Sequence, residues 1–229
     1  YVRGHRWDYD HWASLGNTGW SYQDVLPYFK KAEHNESFND EFHGQGGPLN
    51  VAPVNSPSTI NRLFLKAAAM CGIPNVADYN GIQQFGSFMY QVTQKNGERC
   101  SAAKAYITPN LDRPNLKVFT HTLTQKVIFE GKRAVGVKVM RDGCDVTLLC
   151  RREVIVSAGA FGSPKVLMLS GVGPAEHLAS KDIDVVSDLP GVGENLQDHI
   201  DYIISYRTRS KSETFGVSLQ GAIRIFKAI

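Results

Sequence analysis

The stretch from 154 to 174, VIVSAGAFGSPKVLMLSGVGP, constrains the fold more than any other part of the chain. Val154, Ile155 and Val156 in succession suit a strand buried on both faces. Ser157, Ala158, Gly159 and Ala160 then offer almost no side-chain bulk. Ser163 is placed to cap a helix that opens on Pro164 and closes before Gly171. A strand entering a helix through such small residues admits two explanations. They form a packing joint, or they bare the backbone so that a ligand can lie against it, with the free amides of the helix start favouring an anion. Spacing alone leaves both open. No GxGxxG pattern is present; the nearest is the GVG of the next turn.

The flanking sequence supplies mixed elements. Residues 1–20, rich in aromatics and glycine, predict an ordered but irregular segment. Ser21 caps a helix with Asp24 in its first turn, and Pro27 starts a second helical piece running to about Glu36. LNVAPV is a short strand. Ser58 begins a helix with apolar residues at helical spacing, stopped by Gly72. FMYQVT is strand-like and ends at Asn96-Gly97; SAAKAYIT is a helix closed by Pro109. From 115 to 157, LKVFT, LTQKVIFE, RAVGVKVM, DVTLLC and EVIVSA predict an antiparallel meander with turns at Glu130-Gly131 and Asp142-Gly143. The expected fold class is α+β.

Composition excludes several classes. The chain has 229 residues, 42% hydrophobic and 21% charged, with a net charge of +3. That charge is too small, and too evenly spread, to argue for nucleic acid. The four cysteines, Cys71, Cys100, Cys144 and Cys150, show no metal-ligand spacing and are expected as small apolar residues in a reducing compartment. No metal site is expected. No apolar run reaches about 18 residues, so no transmembrane helix is expected.

LQDHID forms a second constellation. If His199 starts a strand through DYIISYR, then His199 and Asp201 share a face and Asp198 points away. Such a pair can relay a proton or hold a cation, or simply hydrogen-bond within the domain. WDYDHW reads either as an aromatic cage for a cation or as aromatic packing. Asp8 and Asp10 are expected to pair at the surface with Arg3, His5 and Arg6.

Taken in order, five stretches resemble the glucose–methanol–choline (GMC) oxidoreductases: YVRGHRWDYDHWASLGNTGWSYQDVLPYFKKAE, YQVTQKNGERCSAAKAYITP, RPNLKVFT, SAGAFGSPKVLMLSGVG and LPGVGENLQDH. The resemblance covers essentially the whole chain. It implies part of a Rossmann-like FAD domain together with a β-sheet substrate domain. It divides the chain into an FAD-covering segment (1–39), substrate domain (40–95), FAD domain (96–180), and a linker with further substrate domain (181–229). It implies FAD as cofactor and oxidation of a CH–OH group by hydride transfer to the flavin. A small-molecule alcohol is the implied substrate, and a quinone or oxygen the acceptor.

Residue by residue, the family pattern places Thr124 at an adenine contact made through its backbone, and Ala158 and Gly159 against the dinucleotide. It places His199 and Asp201 in the substrate pocket. Choline-oxidising relatives carry glutamate where this chain has Asp201, so the resemblance favours an uncharged alcohol, with choline dehydrogenase and a flavin-containing hydroxynitrile lyase as alternatives. The family's C-terminal histidine base and its pyrophosphate loop are expected to lie outside these residues. The chain is therefore expected to be an internal piece, inactive alone. The expected location is the cytoplasm, with membrane association left open.

Overall fold

The structure, a computed structural model, describes residues 1–204. The strand and helix expected beyond that point lie outside the described residues. Helices and strands are mixed as expected for an α+β chain. Contacts divide the described residues into two compact units, 1–116 and 117–204.

In the first unit, α1 (Arg6–Ser14) occupies a segment expected to be irregular. Its start is a reciprocal cap: the His5 ring accepts the Trp7 amide, and the Asp8 carboxylate accepts the His5 amide. Asp8 is thus a helix cap, not a surface ion-pair partner. Helix α2 (Tyr22–Ala32) is capped by Ser21 with Asp24, as expected. It runs unbroken through Pro27, where a second helical piece was expected. Proline removes one helical hydrogen bond, and the turn after it is held by Phe29 packing edge-on against Tyr9, with ring centroids 5.7 Å apart. The chain then leaves the helix early, because Glu33, His34 and Asn35 pair with the next strand.

That pairing builds β1 (Glu33–Asn35) parallel to β2 (Leu49–Pro53). Between them the GQGG loop passes close under α2: a Cβ on Gly44 would lie 1.9 Å from the Lys30 carbonyl oxygen. Helix α3 (Thr59–Met70) is capped by Ser58, and Gly72 follows at φ +83°. Strand β3 (Gln91–Val92) pairs antiparallel with β2. A hairpin of β4 (Gln94–Lys95) and β5 (Glu98–Arg99) turns on Asn96 and Gly97, at φ 51° and 79°. Both central residues are left-handed, as the favoured two-residue hairpin turn requires. SAAKAYIT forms a π-helical turn, Ala103–Ile107, and not an α-helix.

The second unit holds β6 (Thr122–Glu130), β7 (Arg133–Arg141) and β8 (Cys144–Leu149) as an antiparallel meander. The Asp142-Gly143 turn again has both residues left-handed, at φ 51° and 77°. Strand order is β6-β7-β8, so β6 is an edge. Helix α4 (Gly159–Leu169) packs against β6. Beyond it, β9 (Val172–Gly173) pairs with β10 (Ser187–Asp188) around the short α5 (Ala175–Ala179). Val127, Val139, Val172 and Leu178 form the buried core.

Two expected strands of the meander are not formed. Residues 116–120 and 153–157 have no strand partner among the described residues, and Ile155 is 77% exposed. A strand buried on both faces needs a neighbour on each edge to satisfy its backbone.

Candidate functional site

The start of α4 differs from the expectation in a useful way. Ser163 does not cap its own helix there. Gly159 turns the chain at φ +83°, and the helix winds from that point with Ala158 as its cap residue. The Ser163 hydroxyl instead accepts the Ala158 amide at 2.9 Å. Pro164 therefore lies inside the helix.

The result is an open platform. Residues 157–161 are all exposed, and a Cβ added at Gly159 would meet no atom within 4 Å. No side chain caps the first-turn amides of α4, whereas His5, Ser21 and Ser58 cap α1, α2 and α3. Residues 154–161 contain no ionisable side chain. Such a surface can accept a flat group against its backbone and an anion at its amides. It cannot move a proton.

Thr124 is exposed on β6, paired with Val139. The register shifts between Thr124 and Lys126, so Gln125 is a bulge. Bulges bend a strand and re-aim the residues beside them. Thr124, Ala158 and Gly159 thus belong to two elements that pack on each other. His199 and Asp201 are exposed in a segment, 197–204, without strand structure among the described residues. The shared strand face expected for them is not formed there.

Sequence reasoning missed a second cluster, in the first unit. Arg3 was expected at the surface, yet it is 5% exposed and ion-paired with fully buried Glu33. His43 lies beside them, with Nε2 3.1 Å from Asp78 Oδ2 and Nδ1 3.4 Å from Glu33. Asn35 Oδ1 accepts the Ser37 and Phe38 amides, which fixes its side-chain amide. Its Nδ2 then faces Glu33 Oε1 at 2.9 Å and Gln91 Oε1 at 3.2 Å. Burial pushes the Glu33 carboxyl up, but His43, Asn35 and Arg3 outweigh it and hold the group below its ordinary range. Burial pushes the His43 imidazole down, and hydrogen bonds to Glu33 and Asp78 outweigh that and hold it above its ordinary range.

These contacts tie residue 3, β1, the loop after it, the 78–80 turn and β3 together. Asp40, His43 and Asp78 bring ligand-type atoms within 4.8 Å of one another. Both His43 nitrogens already have partners, and Asp40 accepts the Phe42 and His43 amides. The cluster is a hydrogen-bonded core. Its only signal in the sequence was the polar run EHN leading into a glycine-rich loop.

Residues 1–201 match the family model described as GMC oxidoreductase. The chain belongs to the GMC oxidoreductase family. It is 46% identical over 204 residues, 89% of the chain, to an oxygen-dependent choline dehydrogenase of Brucella ovis. It spans 37% of the length of that relative. Among solved structures it is similar to an FAD-dependent oxidoreductase from Chaetomium thermophilum, with TM-score 0.79 and 31% identity, covering 83% of this chain and 36% of that one. It is also similar to a pyridoxine 4-oxidase from Mesorbium loti, with TM-score 0.72 and 28% identity, covering 83% and 38% of the two chains. No helix among the described residues is long and apolar enough to cross a membrane.

Proposed function

We propose that this chain is part of an FAD-dependent oxidoreductase that converts a primary alcohol to an aldehyde. The family match across residues 1–201 carries the reading. The structure fits the cofactor: the α4 start is open, uncharged and uncapped, and a Cβ at Gly159 would intrude on free space. Ala158, Gly159 and the backbone of Thr124 would hold the adenosine part, and the α4 amides would face its phosphate side. When bound, FAD supplies the hydride acceptor. These residues bind and orient and take no part in proton transfer, since none of their side chains ionises.

His199 and Asp201 are proposed for the substrate pocket. Asp201 is one methylene shorter than the glutamate of choline-oxidising relatives, which favours an uncharged alcohol over choline. The 46% identity to a choline dehydrogenase favours the opposite choice. The division into segments 1–39, 40–95, 96–180 and 181–229 belongs to the same proposal, as do a quinone or oxygen acceptor and a cytoplasmic location, soluble or at a membrane surface.

The test uses the full-length protein, anaerobically. Addition of an aliphatic primary alcohol is expected to bleach the bound flavin, with choline bleaching it more weakly. Faster reduction by choline would overturn the use of Asp201. A flavin that stays oxidised with every alcohol would overturn the oxidation and favour a lyase.

A further inference from the structure

We propose that Ser170 is a positioning residue for the cofactor, its hydroxyl setting the spacing between β6 and the start of α4. The proposal rests on the FAD reading above. Ser170 closes α4 and is 7% exposed. Its Oγ accepts the Val127 amide at 2.8 Å and donates to the Val166 carbonyl at 2.5 Å. One oxygen therefore joins the outer edge of β6 to the last turn of α4. Val127 lies three residues beyond Thr124 on that strand. Ser170 stands at the far end of the helix that Ala158 begins. The same hydroxyl thus links the two pieces assigned to the adenosine.

The helix also packs on β6 and β9 through half-buried apolar side chains. Its packing is shallow: Val166, Leu167 and Met168 are half-buried, none of its residues is fully buried, and Pro164 removes one of its internal hydrogen bonds. Apolar contact is non-directional, so it holds the helix on the sheet without fixing its exact position. The residue after Ser170 is anchored separately: the Gly171 carbonyl accepts the Val186 and Ser187 amides at 2.8 and 3.1 Å. Ser170 is therefore a hydrogen-bonded tie toward β6, beside the Gly171 tie toward β10. Without its oxygen, the buried Val127 amide loses its acceptor, and relaxation toward a new partner must shift the helix against the strand.

The test uses the full-length protein stripped of flavin and retitrated with FAD. Ser170→Ala is expected to weaken FAD binding about tenfold and to remove hydrogen-exchange protection at the Val127 amide. Ser170→Thr, which keeps the hydroxyl, is expected to restore both. Ser87→Ala, at a buried serine in the first unit whose hydroxyl donates to Pro74, is expected to lower the melting temperature and leave FAD affinity unchanged. Should Ser170→Ala fail to fold, Ser170→Cys keeps the volume with a weaker acceptor and is expected to show a smaller loss in the same direction. Lost protection at Val127 with unchanged FAD affinity overturns the proposal. A wild-type protein that takes up no FAD overturns the functional reading, and this proposal with it, before any variant is compared.

Discussion

His43 stands between two carboxylates, with Nε2 3.1 Å from Asp78 Oδ2 and Nδ1 3.4 Å from Glu33. The arrangement stabilises an imidazolium at a site from which water is excluded. It also makes the first unit unusual, because the centre of its core is polar. Glu33, Asn35 and His43 are among its most deeply buried side chains.

Removing the Glu33 charge should be costly. Glu33→Gln leaves the Arg3 guanidinium buried without its ion partner and removes one of the two counter-charges of His43. Breaking a buried pair from one side costs about 3–5 kcal/mol. Denaturant unfolding of the full-length protein, following the transition that contains this unit, is the measurement. A loss below about 1 kcal/mol, the range of exposed ion pairs, would show that water takes over the contacts.

The same cluster predicts a pH dependence with two limbs. His43 is raised above its ordinary value of 6.5, so its contribution is complete below 6.5 and is lost as pH climbs through the raised value. Glu33 is lowered from 4.5, so its contribution is present above 4.5 and is lost as pH falls through the lowered value. His43→Gln should therefore be most destabilising in mildly acidic buffer, and the gap to wild type should narrow as pH rises. Melting temperatures of both proteins from about pH 6 to 9 check this. A constant gap would show that the fold does not shift the His43 titration.

Gly159 can be tested against a matched control. Gly159→Ala forces a side chain into the left-handed region, at about 1–2 kcal/mol, and places a methyl on the open platform. Gly97→Ala in the first unit imposes the same strain, since both glycines have positive φ and open space around the missing Cβ. Both variants should melt earlier. Only Gly159→Ala should reduce the flavin-to-protein ratio of the purified full-length enzyme. Equal flavin loss in both would assign the effect to folding alone.

Features that depend on a few neighbouring residues were legible before any coordinates. Ser21 and Ser58 cap helices because a hydroxyl reaches amides two or three residues on. Asn96-Gly97 and Asp142-Gly143 turn hairpins because both residue types tolerate positive φ. The His5 and Asp8 cap was equally local and was missed, because histidine is an uncommon cap and the aromatic residues around it suggested an irregular segment. The family resemblance was legible too, and the family match over residues 1–201 bears it out.

Features assembled from distant residues were not legible. Arg3 meets Glu33 across 30 positions, and Asn35 meets Gln91 across 56. A charged residue looks the same in a sequence whether water or a buried carboxylate surrounds it. The run Val154-Ile155-Val156 has the composition of a buried strand, but a strand exists only where neighbours take its hydrogen bonds. Ser170 carries the same lesson on a smaller scale. Its place before Gly171 marks a helix end, which the chain determines locally. That its oxygen takes the Val127 amide depends on how α4 lies on β6, and packing sets that.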